Sequence, residues 1–253
     1  MDLGLKGLKA IVTGGTKGIG RAIVETLAQE GAQVAFCARH GEEVAQAAAE
    51  LTARGYTVHG YAVDVGDGPA LTAFVAEAGA AMAGIDIVVA NVSALAIGND
   101  EAGWKSGFNV DLMGTVRLVN AAMPSLEKSA HAAIVTISSV SAREIDFAAG
   151  PYGAFKAAIV HYTQGLAFQL AGKGIRANTV SPGNTYFPGG VWTQIEQGNP
   201  QLFAQAMALN PTGRMGTPQE MANATAFLAS PAASFITGTN LVVDGALTRG
   251  VQL

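Results

Sequence analysis

The chain has 253 residues, 49% of them apolar and 13% charged. That length fits one large domain, and so apolar a composition excludes an intrinsically disordered chain. A formal net charge of −4 leaves no basic footprint for nucleic acid, and no Lys/Arg-rich run marks an anionic membrane partner.

The opening MDLGLKGLKAIV lacks a basic segment followed by a long apolar run, so no signal peptide is expected. No stretch reaches the roughly 18 to 20 apolar residues of a membrane helix. Short β-branched runs then alternate with alanine-rich stretches of helical period. Strands are expected at 8–14, 32–38, 56–64, 85–91, 132–139, 175–181 and 240–245. Several are almost continuous apolar runs, as strands covered on both faces should be. Between them lie segments such as GIGRAIVETLAQEG and EEVAQAAAELTARG, each ending in a glycine suited to a helix stop. This repetition specifies an α/β protein, a doubly wound Rossmann-type parallel sheet of about seven strands with helices on both faces. No linker or repeat divides 1–253, which reads as one dinucleotide-binding and catalytic domain. The least regular region, 182–216, is rich in Gly, Pro, Asn and aromatics, so a substrate loop or lid is expected over 184–215. Cys37, the single cysteine, falls in a strand and reads as a buried inert thiol. A lone cysteine fits a reducing compartment, and the expected location is the cytoplasm.

In an open α/β sheet the ligand sits beyond the carboxyl ends of the strands. The first such end is VTGGTKGIGRAI, holding Gly14, Thr16, Lys17, Gly18, Ile19 and Gly20. Gly14 suits the tight turn, while Gly18 and Gly20 permit close approach. A helix starting near Gly18 would aim free N–H groups and its positive end at an anion. An acidic residue at the end of the second strand would select NAD. Here Ala38 is followed by Arg39, with Lys17 in the glycine turn. Two cations without a carboxylate suit a 2′-phosphate, so NADP(H) is expected in preference to NAD(H); the alternative is that both are ordinary surface charges. No His/Cys/carboxylate group has metal-site spacing, and no metal is expected.

The spacing TGxxxGxG from Thr13 to Gly20, with Tyr152-x-x-x-Lys156, resembles the short-chain dehydrogenase/reductase family in its single-domain form. The similarity continues through VDV (63–65), FNVDLMGT (108–115), TISSVS (136–141), GIRANTVSPG (174–183), GRMGTPQEMANATAFLAS (213–230) and FITGTNLVVDG (235–245). The branch most alike contains 3-oxoacyl-carrier-protein reductases and bacterial alcohol, sugar and steroid dehydrogenases. The resemblance implies that Tyr152 is the general acid/base and that Lys156 is its electrostatic partner, also holding the nicotinamide ribose. It implies that Ser139 hydrogen-bonds the substrate oxygen and that Asn109 serves a water-linked proton relay. The chemistry agrees for the Tyr–Lys pair: a free phenol ionises at about pH 10, and an ammonium one helical turn away favours the phenolate. By the same resemblance Asp64 and Val65 contact adenine, Asn91 lies beside the cofactor, and Pro182 and Gly183 form the turn beside the nicotinamide. Ser138 and Ser141 read as ordinary neighbours, and Asp244 is assigned no chemistry.

Departures from the family pattern are local. Ala90-Asn91-Val92-Ser93 stands where the family has Asn-Asn-Ala-Gly, and Phe187 replaces a common threonine, leaving Thr185 or backbone to hold the carboxamide. Tyr186, Phe187, Pro188 and Trp192 either line an apolar substrate pocket or pack the loop onto the core or a neighbouring subunit. A basic residue before the fifth strand is missing, so Lys128 and Lys173 would have to supply basic surface for a carrier protein. His131 and His161 read as surface or packing residues. The expected function is an NADP(H)-dependent oxidoreductase interconverting a secondary alcohol and a ketone. The alternatives are a 3-oxoacyl-carrier-protein reductase and a non-catalytic dinucleotide-binding regulator. The partner is a small carbonyl or alcohol substrate, not nucleic acid or membrane. The resemblance also implies a homo-oligomer, tetramer or dimer, with the terminal ALTRGVQL a candidate part of its interface.

Overall fold

Apolar runs flanked by glycine become strands wherever both faces can be covered, and in the computed structural model, which describes residues 2–250, all seven expected strands form. β1 (Lys9–Thr13) leads through the glycine turn into α1 (Gly18–Gln29), β2 (Gln33–Ala38) into α2 (Gly41–Ala53), and β3 (Val58–Ala62) into α3 (Gly68–Ala81). β4 (Ile87–Ala90) precedes a continuous helical rod made of α4 (Glu101–Gly107), a π-helical stretch Phe108–Met113, and α5 (Gly114–Leu126). β5 (Ala133–Ile137) reaches α6 (Pro151–Leu170) through a short 3-10 turn, Val140–Ala142. β6 (Arg176–Pro182) is followed by α7 (Val191–Gly198), α8 (Pro200–Ala208), α9 (Pro218–Ala229) and β7 (Asn240–Val243).

The seven strands form one parallel sheet in the order β3-β2-β1-β4-β5-β6-β7. Alternation along each strand divides the core into two layers. Ala10 and Val12 of β1, Val34 and Phe36 of β2, and Ile87 and Val89 of β4 pack with α1, α2 and α9. Their neighbours Ile11, Ala35, Cys37 and Val88 pack with α3, α5 and α6 on the other face. The strand period of two meets a helical layer on each side, as the continuous apolar runs require. Cys37 is fully buried, and desolvation pushes its thiol up to about 12. It is the inert core residue expected from its strand.

Residues 182–216 are more regular than their composition predicts. Asn199 caps α8 by accepting the Leu202 N–H, Pro200 occupies its first turn, and α7 and α8 enclose a small core of Trp192, Ala206 and Met215. Of the terminal ALTRGVQL, the last three residues lie outside the described residues. Among the described residues, no helix is long and apolar enough to cross a membrane.

Candidate active site

The strand order reverses direction between β1 and β4, and a cleft of about 570 Å³ opens there along the carboxyl ends of the strands. Its floor is the glycine turn. Asn91, at the end of β4, pins that turn: its Nδ2 donates to the Thr13 carbonyl at 3.0 Å, and its backbone N–H donates to Thr13 Oγ1 at 3.0 Å. A β-carbon on Gly20 would collide with the Gly14 carbonyl, so only glycine lets α1 begin this close to the turn. No side chain caps α1, unlike α3 and α9, so its first amides are left to meet an anion in the cleft. These features fit a dinucleotide pyrophosphate. After Asn91 the chain turns at Leu95, which takes a left-handed φ of 49°, and the Ser93 hydroxyl accepts its N–H.

At the end of the cleft beside β2 the structure corrects one expectation. Lys17 and Arg39 both line the cleft, but not without a carboxylate: Glu43 of α2 lines it too and pairs with Lys17 Nζ at 2.7 Å. The Lys17 hydrogen bond holds the Glu43 carboxyl below the usual carboxylate range, with Lys17, His40 and Arg39 adding charge. Arg39 has no ion-pair partner among the described residues, and His40 lines the cleft beside it. The signal for Glu43 lay in EEV at the start of α2, where acidic residues suit a helix N-terminus, but its reach to a turn 26 residues earlier is tertiary.

Tyr152 and Lys156 sit one turn apart on α6, with Lys156 Nζ 5.7 Å from the centre of the Tyr152 ring. Ser139, two residues past the end of β5, lines the same cleft, and Ser138 Oγ donates to the Lys156 carbonyl at 2.9 Å, locking α6 to the segment after the strand. Lys156 is buried, donates to the Ile137 carbonyl at 3.1 Å, and faces Asp111 Oδ1 at 3.3 Å. Asp111 is equally buried: Oδ2 accepts the Ala94 N–H at 2.8 Å, while Oδ1 has no aligned hydrogen bond and only the lysine charge for company. Asn109 is not part of this group. Its Nδ2 donates to the Gly66 carbonyl and its Oδ1 accepts from Arg117, on the far side of the rod. Residues two apart on a helix point in nearly opposite directions, so Asn109 and Asp111 cannot both face Lys156. The motif FNVDLMGT contained the answer in its unpaired acid within an apolar helical run, a residue that needs a buried cation.

Every other cofactor position named from the sequence lines the cleft, including Asp64, Val65, Pro182, Gly183 and Thr185, with one exception. Gly18 lies beneath the ring of Phe187, which a β-carbon there would overlap. Thr185 Oγ1 donates to the Gly183 carbonyl at 3.1 Å. The loop aromatics divide between the two roles foreseen. Phe187 and Trp192 line the cleft, with Trp192 edge-on to Phe147 at 5.6 Å, while Tyr186 packs on Phe203 of α8 and donates to Glu196. Lys128 and Lys173 precede β5 and β6 and so lie at the amino edge of the sheet, opposite the cleft. Lys173 is also paired with Glu127. Neither supplies basic surface at the entrance.

Residues 14–248 match a family model described as enoyl-(acyl carrier protein) reductase. Isoepoxydon dehydrogenase patN of Penicillium expansum is 39% identical over 260 residues, covering 100% of this chain and 99% of that protein. Among solved structures, L-sorbose reductase from Gluconobacter frateurii, in complex with NADPH and L-sorbose, superposes with a TM-score of 0.91 at 28% identity, covering 99% of this chain and 100% of that one. A 7α-hydroxysteroid dehydrogenase in complex with NADH and 7-oxo glycochenodeoxycholic acid gives a TM-score of 0.86 at 28% identity, covering 97% and 96%.

Proposed function

From the premise that this chain belongs to the short-chain dehydrogenase/reductase family and is an oxidoreductase acting on alcohols or ketones, we propose that it interconverts a secondary alcohol and a ketone with NADP(H), using Tyr152 as general acid/base. The observation that carries this reading is the convergence of Ser139, Tyr152 and Lys156 in one cleft with an uncapped helix start at the other end. A bound nicotinamide dinucleotide would exchange a hydride with the substrate carbon. Gly14, Thr16, Ile19 and the first amides of α1 would hold its pyrophosphate, Asp64 and Val65 its adenine, and Pro182, Gly183 and Thr185 its nicotinamide end.

Ser139 and Tyr152 bind the substrate oxygen, and Tyr152 Oη delivers or removes its proton. Lys156, one helical turn from Tyr152, is held in place by the Ile137 carbonyl and Asp111, which makes Asp111 a positioning residue. Stabilising charge at a developing alkoxide with fixed donors is the largest contribution a site of this kind makes. Arg39, beside β2 and without an ion-pair partner among the described residues, supports a preference for a 2′-phosphate. Lid motion of 184–215, a homo-oligomer and a cytoplasmic location belong to the same reading. Self-association is supported by Phe168 and Phe235, large apolar side chains 89% and 103% exposed.

Oxidation of NADPH against a panel of cyclic ketones, diketones, keto-sugars, steroids and 3-oxoacyl thioesters tests the reading, with Tyr152→Phe alongside. Turnover of one class, lost by at least a thousandfold or so in the variant, is expected for removal of the proton donor. Tyr152→Phe turning over like wild type sinks the assignment.

A further inference from the structure

Outward from Ser139 along the cleft wall runs a strip of hydrogen-bonded polar groups that the proposed chemistry does not use. Ser141 N–H donates to Ser139 Oγ at 3.2 Å, and the two hydroxyls are also 3.2 Å apart. Ser141 Oγ then donates to Asp146 Oδ2 at 2.6 Å, and Asp146 Oδ1 accepts the Ala148 N–H at 2.8 Å. Ser139, Ser141 and Asp146 all line the cleft. Asp146 has no ion-pair partner among the described residues. Each carboxylate oxygen can accept more than the one bond it has here, so the strip retains acceptor capacity toward the cleft.

The neighbouring wall is apolar, formed by Ile97, Val140, Phe147, Val191 and Trp192. One polar strip in an apolar pocket orients a ligand by a matched polar group. The unused capacity is that of an acceptor with negative charge, so the matching group is a hydrogen-bond donor, and in an alcohol or ketone substrate that donor is a hydroxyl. A plain alkyl chain would press against a carboxylate and strip its water without replacing those bonds, and an anionic group would be repelled.

We propose that Ser141 and Asp146 form a substrate subsite that accepts a hydrogen bond from a second oxygen of the substrate. The substrate is a small hydroxy-ketone whose hydroxyl lies one or two carbons from the reacting carbonyl, or the corresponding diol in the oxidative direction. The second oxygen would meet Ser141, 3.2 Å from Ser139 along the strip, or Asp146, a further 2.6 Å on. The proposal rests on the oxidoreductase reading and adds the substrate class. It also disfavours an unsubstituted acyl chain, and hence the 3-oxoacyl-carrier-protein alternative.

The test uses matched pairs: cyclohexanone against 2-hydroxycyclohexanone, and 2-butanone against 4-hydroxy-2-butanone, with NADPH. Wild type should prefer the hydroxylated member of at least one pair by about tenfold or more in kcat/KM, the value of a hydrogen bond to a charged group. Asp146→Ala should bring that ratio toward one, and Asp146→Asn, which keeps an acceptor, should reduce it less. Ser141→Ala leaves the Asp146–Ala148 bond in place and serves if Asp146→Ala fails to fold. Reduction of both members with equal efficiency, or a preference untouched by these variants, overturns the subsite while leaving the oxidoreductase reading intact. Calorimetric binding of the same pairs to the NADPH-loaded Tyr152→Phe protein separates the two ideas. A hydroxyl preference in affinity that Asp146→Ala abolishes supports the subsite even if no ketone is reduced. Equal affinities, or no binding of either member, overturn it.

Discussion

Lys156 Nζ stands 3.3 Å from Asp111 Oδ1, and both side chains are only 3% exposed. The ammonium that faces Tyr152 is therefore half of a buried ion pair between α6 and the π-helical stretch of the neighbouring rod. Taking two charges out of water is costly, and removing only one of them is costlier still because its partner is left uncompensated. π-helical turns inside α-helices occur frequently at functional sites, and this one sets the register that turns Asp111 inward and Asn109 outward.

Asp111→Ala is expected to destabilise the fold by about 3–5 kcal/mol, since it strands the lysine charge and the Ala94 amide together. Asp111→Asn keeps an acceptor for Ala94 and should cost less. A double-mutant cycle of Asp111→Asn with Lys156→Met, read by urea unfolding, should give a coupling of about 1 kcal/mol or more. Strict additivity would mean that the pair contributes nothing, and Asn109→Ala should show no coupling to Lys156.

On the proposed NADP(H) reading, cofactor selection depends on Arg39 and is moderated by Glu43. Arg39→Ala should lower kcat/KM for NADPH by about 10- to 100-fold while changing that for NADH little, as expected for a charged hydrogen bond made only to a 2′-phosphate. Glu43→Gln frees Lys17 from its 2.7 Å partner and should shift preference further toward NADPH. Initial rates with both cofactors decide it: an equal loss with NADPH and NADH in Arg39→Ala removes the basis for NADP(H) selection.

At α9, Thr217 and Glu220 form a reciprocal cap, and Arg214 at the end of the 184–215 segment grips the same carboxylate. The Arg214 hydrogen bonds, then the Thr217 amide, lower Glu220 from 4.5 to about 2. A depressed carboxylate stabilises the fold above its unfolded value and loses that effect as pH falls through its folded value. Glu220→Gln should therefore lower Tm at pH 7 by a few degrees, about the effect of 1 kcal/mol in a domain of this size. The difference from wild type should shrink as pH falls from about 4.5 toward 2. Screening at this exposed pair keeps the effect small. A gap in Tm that stays constant between pH 7 and pH 3 would contradict the assignment.

How much of this molecule was legible in advance depended on the range of the interaction. All seven strands were found within two residues of their ends, because an apolar run between glycines has one good use in a doubly wound sheet. Two α-helices in 182–216 are not legible, because Gly, Pro and aromatic content obscures short amphipathic segments that close on Trp192. The Tyr152–Lys156 pair was visible because both residues belong to one helical turn.

The sequence by itself determined the element order, the glycine turn and the one-turn pairing of Tyr152 with Lys156, since those follow from chain periodicities of two and 3.6 residues. Only the tertiary structure decided which polar residue of FNVDLMGT meets Lys156, that Glu43 neutralises Lys17, that Phe187 covers Gly18, and that Ser141 joins Asp146 to Ser139. Apart from the Ser139–Asp146 strip, these pairings join segments far apart in the chain. All of them depend on strand order, helix register and loop path. The free energy that selects them is the cost of leaving a buried charge or amide without a partner, which no local pattern records.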